Sequence, residues 1–504
     1  MKDLRAFIAA LRDADELVEV STPVDPVLQI AEIADRVQRT GGPALLFTDV
    51  IGYAGTPVLI NAFGTEARMC IALGVKRLDD IGDRIRGLLD LSIPDGLVGK
   101  VRKVAQVSDL RSAPPRRHRG SPPVQQVVRT GADIDVLRDL PVIKCWPGDG
   151  GRYITLPMVI TKDPLTGRRN VGMYRLQVHD GQTLGMHWQI HKHGRDVEEN
   201  ARRTGSSRIQ VAVAIGADPA LTYSATAPLP DVDEFVFAGF LRGRGVELCP
   251  ALTVDLDVPA HAEYVIEGWV DPDERRTEGP FGDHTGYYTP AEPFPVMHIT
   301  AITSRRQPIY QTILVGPPPA EDGPLGKASE RIFLPLLQFT VPEIVEYSLP
   351  PQGVFHGLVI VSIDKRYPKH AQKVMHALWG AGQMSRTKAI VVVDADVDVH
   401  DWAEVAWRVF GNVDWQRDVT IVEGPVDQLD HASPMESWGG KIGIDATRKT
   451  PGEGYTRGWP PELVMDDEVI AHVDAIWPSL GVGRPDPGMR PTGRGRRPRT
   501  VPGS

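Results

Sequence analysis

The sequence predicts a mixed fold, α/β at both ends and α+β through a β-rich middle. Three observations predict it. Near the start, apolar residues at helical spacing alternate with short apolar runs. From 124 to 315, short strand-like runs are punctuated by Gly, Pro and Asp, the pattern of a barrel or sandwich. The last third alternates helix and strand patterns again. The resulting division is 1–115, 116–325 and 326–480, followed by a tail over 481–504.

The first helix follows from Leu4, Phe7, Ile8 and Leu11 at i, i+3, i+4, i+7. Asp25-Pro26 announces a second, with a possible N-cap followed by proline at the first helical position. Its apolar face is Leu28, Ile30, Ile33, Ala34 and Val37, and Gly41-Gly42 ends it. Ala44–Phe47 and Val58–Ile60 read as short buried strands. Residues 111–123 are basic and proline-rich and read as a connecting loop. Strand patterns follow at Gln126–Arg129, Leu156–Thr161, Gly172–Val178, Gly185–Ile190, Ile209–Ala214, Leu248–Leu256, Ala262–Trp269, Val296–Ile302 and Ile309–Val315, with one helix at Asp233–Leu241. In the last third, Val359–Ile363 and Ala389–Val393 read as strands, and His370–Trp379 and Trp402–Phe410 as helices. The tail is rich in Pro, Gly and Arg, a composition that predicts disorder.

Composition narrows the function. Of 504 residues, 41% are hydrophobic and 24% charged, enough for a sizeable core. A net charge of −9 argues against a nucleic-acid binder. Three cysteines, far apart, make no disulfide framework or zinc ribbon and suit a reducing compartment. There is no signal core and no membrane-length apolar run, so a cytoplasmic protein is expected. Gly243-Arg244-Gly245 lacks the third glycine of a dinucleotide fingerprint, and Gly326-Lys327 is followed by Ala328 where a phosphate loop needs Ser or Thr. HExxH and GxSxG are both missing from the chain.

Three clusters carry candidate chemistry. On a strand, His187, Gln189, His191 and His193 share one face, with Arg175 on the preceding strand. Such a face suits a phosphate and a hard metal ion, or is simply a solvated polar surface. Thr277–Tyr288 holds two carboxylates, Glu278 and Asp283, among glycines and a proline, so it reads as a shaped loop. One carboxylate beside an arginine stays ionised, while a second in an apolar pocket keeps its proton and serves as a general acid. Asp231, Asp233 and Glu234 precede a helix; they satisfy its dipole, or Glu234 supplies a metal oxygen.

The motifs Asn170-Val-Gly-Met-Tyr-Arg175, Glu278-Gly-Pro-Phe-Gly-Asp-His-Thr-Gly-Tyr-Tyr288, Ala432-Ser-Pro434 and Gly439-Gly-Lys-Ile-Gly-Ile-Asp445 resemble those of the UbiD family of reversible decarboxylases, which use prenylated FMN. The resemblance runs from about residue 4 to about 460 and is nearer the polyprenyl-hydroxybenzoate branch. It implies a central flavin-binding split β-barrel, a small α/β domain before it and a C-terminal α/β oligomerisation domain. It implies a catalytic network of Arg175, Glu278 and Asp283, and metal ligands Asn170, His191 and Glu234, with Asp233 as the fallback. It places cofactor contacts at Thr155, Met173, Arg175, Gln189, Ile190, His191 and Lys388. The implied cofactors are prenylated FMN and Mn2+ or Mg2+, with K+ often nearby. The implied partners are a small carboxylic acid, CO2, a flavin prenyltransferase that supplies the cofactor, and further copies of the chain. The residues alone leave open an FMN oxidoreductase or a non-catalytic (de)carboxylase subunit.

Overall fold

A computed structural model describes residues 1–90, 110–188, 193–229, 232–355 and 357–483. The chain divides into two compact units, 1–335 and 336–504.

In the first unit, helix α1 (Leu4–Asp13) buries the four apolar residues the spacing selects, and the Asp3 side chain caps it by accepting the Ala6 N–H. Strand β1 (Leu17–Val20) leads to α2 (Gln29–Arg39), then to β2 (Ala44–Phe47) and β3 (Val58–Ile60). Helix α2 starts after Leu28, not at Asp25-Pro26. Leu28 has φ +71°, which no α-helix accommodates, and Asp25 instead closes a turn by accepting the Val27 N–H at 2.7 Å. Helices α3 (Glu66–Leu73) and α4 (Asp79–Leu89) complete this part.

The stretch expected only to connect is stitched into the fold. Its strand β4 (Arg116–Arg117) pairs in parallel with Glu247–Leu248. Beyond it lie β5 (Val127–Thr130), β6 (Tyr153–Ile154), β7 (Met158–Lys162), β8 (Arg169–Gly172), β9 (Leu176–Asp180), β10 (Thr183–Met186) and β11 (Ile209–Ile215). Then come β12 (Glu247–Pro250), β13 (Asp257–Pro259), β14 (Tyr264–Glu278), β15 (Phe281–Gly282), β16 (Tyr288–Thr289), β17 (Glu292–Ser304) and β18 (Tyr310–Gln311). Nine of these strands form the central sheet, in the order β6-β9-β10-β17-β14-β11-β7-β8 with β5 on β17. β18 joins the N-terminal sheet beside β3, which leaves one continuous apolar core beneath both sheets.

Four strand expectations are revised. Gly172–Val178 is two strands, because the chain leaves the ladder at Met173, whose N–H donates to the Ala225 carbonyl. Gly185–Ile190 stops at Met186. Leu248–Leu256 is cut short because the Leu252 and Thr253 N–H groups turn toward the buried Glu267 carboxylate. Ile309–Val315 is a strand only at Tyr310–Gln311, beyond which the Ile313 N–H donates to the Thr155 hydroxyl.

In the second unit, β19 (Ile344–Ser348), β20 (Leu358–Ile363), β21 (Ala389–Asp394), β22 (Val419–Pro425) and β23 (Trp438–Asp445) form one sheet, ordered β19-β20-β21-β23-β22. The three inner strands are parallel, the first two of them apolar, and both edges are antiparallel. The helices His370–Trp379 and Trp402–Asn412 lie where the spacing puts them. The arginine-rich tail from 484 lies outside the described residues. Among the described residues no helix is long and apolar enough to cross a membrane.

Candidate functional site

Arg175 stands just before β9, and Glu278 closes the long strand β14. Gly279 follows at φ +101°, a conformation only glycine takes easily. The chain then enters the hairpin β15–β16, whose turn carries Asp283. The shaped loop is therefore a short hairpin anchored on a sheet strand. Gly185 of β10 makes room, since a Cβ there would stand 3.3 Å from Glu278 Cγ and 2.9 Å from His179 Nε2.

The Arg175 guanidinium holds both acids. Its Nε donates to Glu278 Oε1 at 2.9 Å, Nη1 to Asp283 Oδ2 at 2.5 Å, and Nη2 to the Thr289 hydroxyl at 3.0 Å. The guanidinium carbon lies 4.4 Å from the centre of the Phe281 ring. Side-chain exposure is 8% for Arg175 and Asp283 and zero for Glu278. Burial alone would raise both carboxyls, but charged hydrogen bonds overcome it. His187 and Arg175 hold Glu278 at about 2. His284 and Arg175 hold Asp283 well below the usual carboxylate range. The second carboxyl is thus held toward its ionised form, not the protonated acid that an apolar pocket would make. Burial and Arg175 lower His187, so its Nδ1–H donates to Glu278 Oε2 at 3.1 Å as a neutral imidazole.

A second arrangement surrounds Asn170 in β8 and Glu234, which opens a helix (Glu234–Arg242). The two run side by side: the Val171 N–H donates to Glu234 Oε2 at 3.1 Å, and Arg169 pairs with Asp233 at 2.7 Å. The acids before this helix divide the roles between them. Asp233 caps it by accepting the Phe235 and Val236 N–H groups. Glu234 turns inward and is buried, and burial pushes its carboxyl up to about 7. Among the described residues no Lys or Arg forms a salt bridge with it. An amide oxygen and a carboxylate with no resident cation are a donor set that fits a hard divalent ion.

Thr155 is buried, and its hydroxyl is engaged by Thr312 and by both backbone groups of Ile313. Met173 packs at the edge of the core beside β8. Lys388 forms an ion pair with Asp430 at 2.8 Å inside the second unit. Gln189, Ile190 and His191 lie outside the described residues. Gln189 and His191 of the alternating face expected with His187 and His193 lie outside the described residues. The Trp188 N–H folds back onto the Met186 carbonyl, its indole sinks into the core, and a helix runs from His193 to Thr204. Sequence reasoning missed the pairing of His187 with Glu278, of His284 with Asp283, and the support of Arg175 by Thr289 and Phe281. Both histidines stand inside the segments singled out, but their partners depend on the fold.

Three family models match the chain. They describe the N-terminal domain (residues 8–85), the Rift-related domain (116–318) and the C-terminal domain (324–446) of 3-octaprenyl-4-hydroxybenzoate carboxy-lyase. An uncharacterised protein of Archaeoglobus fulgidus is 52% identical over 94% of this chain and 98% of its own length. One from Aquifex aeolicus is 51% identical over 95% and 99%. Among solved structures, the UbiD-class enzyme HmfF of Pelotomaculum thermopropionicum, in complex with FMN, is 33% identical with a TM-score of 0.76, covering 92% of this chain and 98% of its own. The vanillic acid decarboxylase of Sedimentibacter hydroxybenzoicus is 27% identical with a TM-score of 0.84, covering 96% and 99%. The order of domains, the sheet-rich middle and the extent of these matches agree: the chain belongs to the UbiD family of carboxy-lyases.

Proposed function

We propose that this chain is a reversible, prenylated-FMN-dependent decarboxylase of an aromatic, heteroaromatic or α,β-unsaturated carboxylic acid. The observation that carries the reading is one buried guanidinium shared by Glu278 and Asp283 at 2.9 and 2.5 Å. Losing CO2 from an sp² carbon leaves an electron pair that no side chain delocalises. The prenylated flavin, when bound, supplies that sink through a covalent bond to the substrate.

The chain's own groups supply charge and protons. Arg175 draws the substrate carboxylate into a low-dielectric site. There it is shared between that carboxylate and the two acids, so its hold on Asp283 weakens. A weaker hold raises the Asp283 carboxyl, which takes up a proton from solvent and delivers it to the carbon once CO2 departs. Glu278, fixed by Arg175 and His187, keeps the guanidinium in place. Asn170, His191 and Glu234 would hold Mn2+ or Mg2+, and K+ would be a further ion of the site, because oxygen donors and one imidazole suit such ions. The cofactor comes from a flavin prenyltransferase, and the C-terminal unit joins copies of the chain.

The test is a mass and absorbance spectrum of native protein co-expressed with a flavin prenyltransferase, followed by a carboxylic-acid panel. The expected result is a cofactor one prenyl unit heavier than FMN, a divalent metal, and CO2 release from an aromatic acid. Well-folded protein with neither flavin nor metal overturns the reading. FMN bleached by NAD(P)H replaces it with an oxidoreductase.

A further inference from the structure

We propose that His118, Glu247 and His261 form a second divalent-metal site, of the zinc class, that staples the basic stretch 111–119 to the central domain. The three residues come from three places: one residue past β4, the start of β12, and the loop before β14. Both imidazoles converge on a single oxygen. His118 Nδ1 is 2.8 Å and His261 Nε2 2.9 Å from Glu247 Oε2. One ligand atom from each residue lies within 4.8 Å of the others. A tetrahedral zinc ion with bonds of about 2.0–2.1 Å spaces neighbouring ligand atoms by about 3.3 Å. The two nitrogen–oxygen spacings need to open by about half an ångström to admit the ion, and the nitrogen–nitrogen spacing already lies within 4.8 Å.

The backbone fixes this geometry without metal. The Arg116 N–H donates to the Val246 carbonyl and the His118 N–H to the Leu248 carbonyl, each at 2.7 Å, and the Ala260 N–H to Glu247 at 3.0 Å. The imidazoles are shielded, at 14% and 10% side-chain exposure, while the carboxylate is open at 31%. An ion therefore has a path in and room for a water as fourth ligand, between two nitrogens and a charged oxygen. Lys2 and Asp3 also face His261, with opposite charges. The donors here are two nitrogens and one oxygen, softer than the set at Asn170 and Glu234. The two centres should therefore differ in metal preference.

The experiment uses the full chain, stripped with a chelator and titrated with Zn2+ alone. Bound zinc is counted by elemental analysis after gel filtration. Glu234→Gln, which weakens the other centre, is expected to keep one equivalent per chain. Adding His118→Gln and His261→Gln removes that equivalent and weakens zinc binding at least 100-fold. Glutamine still donates to Glu247, so the backbone arrangement survives, and circular dichroism checks that it does. With Co2+ as probe, a visible ligand-field band appears in Glu234→Gln and is lost in the triple variant. Equal zinc in the two variants overturns the proposal, as does wild-type protein that takes up none at micromolar Zn2+.

Discussion

Glu278 and Glu234 are buried carboxylates of the same domain in opposite electrostatic states. Glu278 meets a guanidinium and an imidazole, and its carboxyl falls to about 2. Glu234 is raised to about 7 by burial and by the negative Asp233, against which the Val171 N–H and the charge of Arg169, itself paired with Asp233, pull only in part. The contrast separates two uses of a buried acid. Where the chain brings its own cation, the charge is settled and can be lent to a substrate. Where it brings none, the acid has room for a cation from solution.

Removing the resident cation should have the largest effect. Arg175→Ala leaves Glu278 and Asp283 buried with no guanidinium between them. Breaking a buried pair in this way costs on the order of 3–5 kcal/mol, so chemical denaturation should show a loss of that size and turnover should vanish. Arg175→Lys should recover much of the stability but little turnover, because an ammonium cannot bridge two carboxylates in the guanidinium's planar geometry. Equal stability of Arg175→Ala and wild type would mean that burial, not pairing, sets the acids' state.

Next come the acids themselves. Asp283→Asn removes the proposed proton donor and should lower turnover by about 10²–10⁴-fold with flavin retention unchanged. Glu278→Gln should lower it similarly by loosening Arg175. Full turnover in both variants would dissolve the proton relay.

The acid limb of stability is a smaller effect with a definite sign. Glu278 is depressed from 4.5 to about 2. Its contribution is complete above about pH 4.5 and is lost as pH falls toward 2. At 1.36 kcal/mol per pKa unit this is on the order of 3 kcal/mol. Glu278→Gln should flatten this limb of the stability profile in urea titrations between pH 5 and 2. An unchanged limb would assign acid unfolding to other carboxylates.

These pairings explain what the sequence could disclose. Helix His370–Trp379 and strand Ala389–Asp394 were legible because their signals are local: an amphipathic period and a continuous apolar run. The second half of β14 was not. The strand pattern ends at Trp269 and the loop reading begins at Thr277, yet Arg275–Glu278 pair with Glu292–Pro295 across the sheet. Glu278, Arg175 and Asp283 were legible only through an unusual motif. The partner of Glu278 is His187, 91 residues away, and only the β10–β17–β14 order brings them together. The same fold shows which carboxylate before the helix is buried, where the resemblance names Glu234 with Asp233 as the fallback.

That choice supplies the smallest and most discriminating test. Asp233 spends Oδ1 on the Phe235 and Val236 N–H groups and Oδ2 on Arg169. Asp233→Ala therefore removes a cap and an ion pair, and should cost about 1 kcal/mol in thermal or urea unfolding. It should leave divalent-metal content intact, because no lone pair aimed at the Asn170 side is lost. Glu234→Gln should do the reverse. A neutral amide replaces a buried carboxyl whose ionisation burial already opposes, so stability of the metal-free chain changes little, while Mn2+ binding falls. The pair of variants reads cap and ligand separately, on adjacent residues. If Asp233→Ala empties the metal and Glu234→Gln does not, the ligand is the fallback residue, and the contrast between the two buried glutamates ceases to mark a cation site.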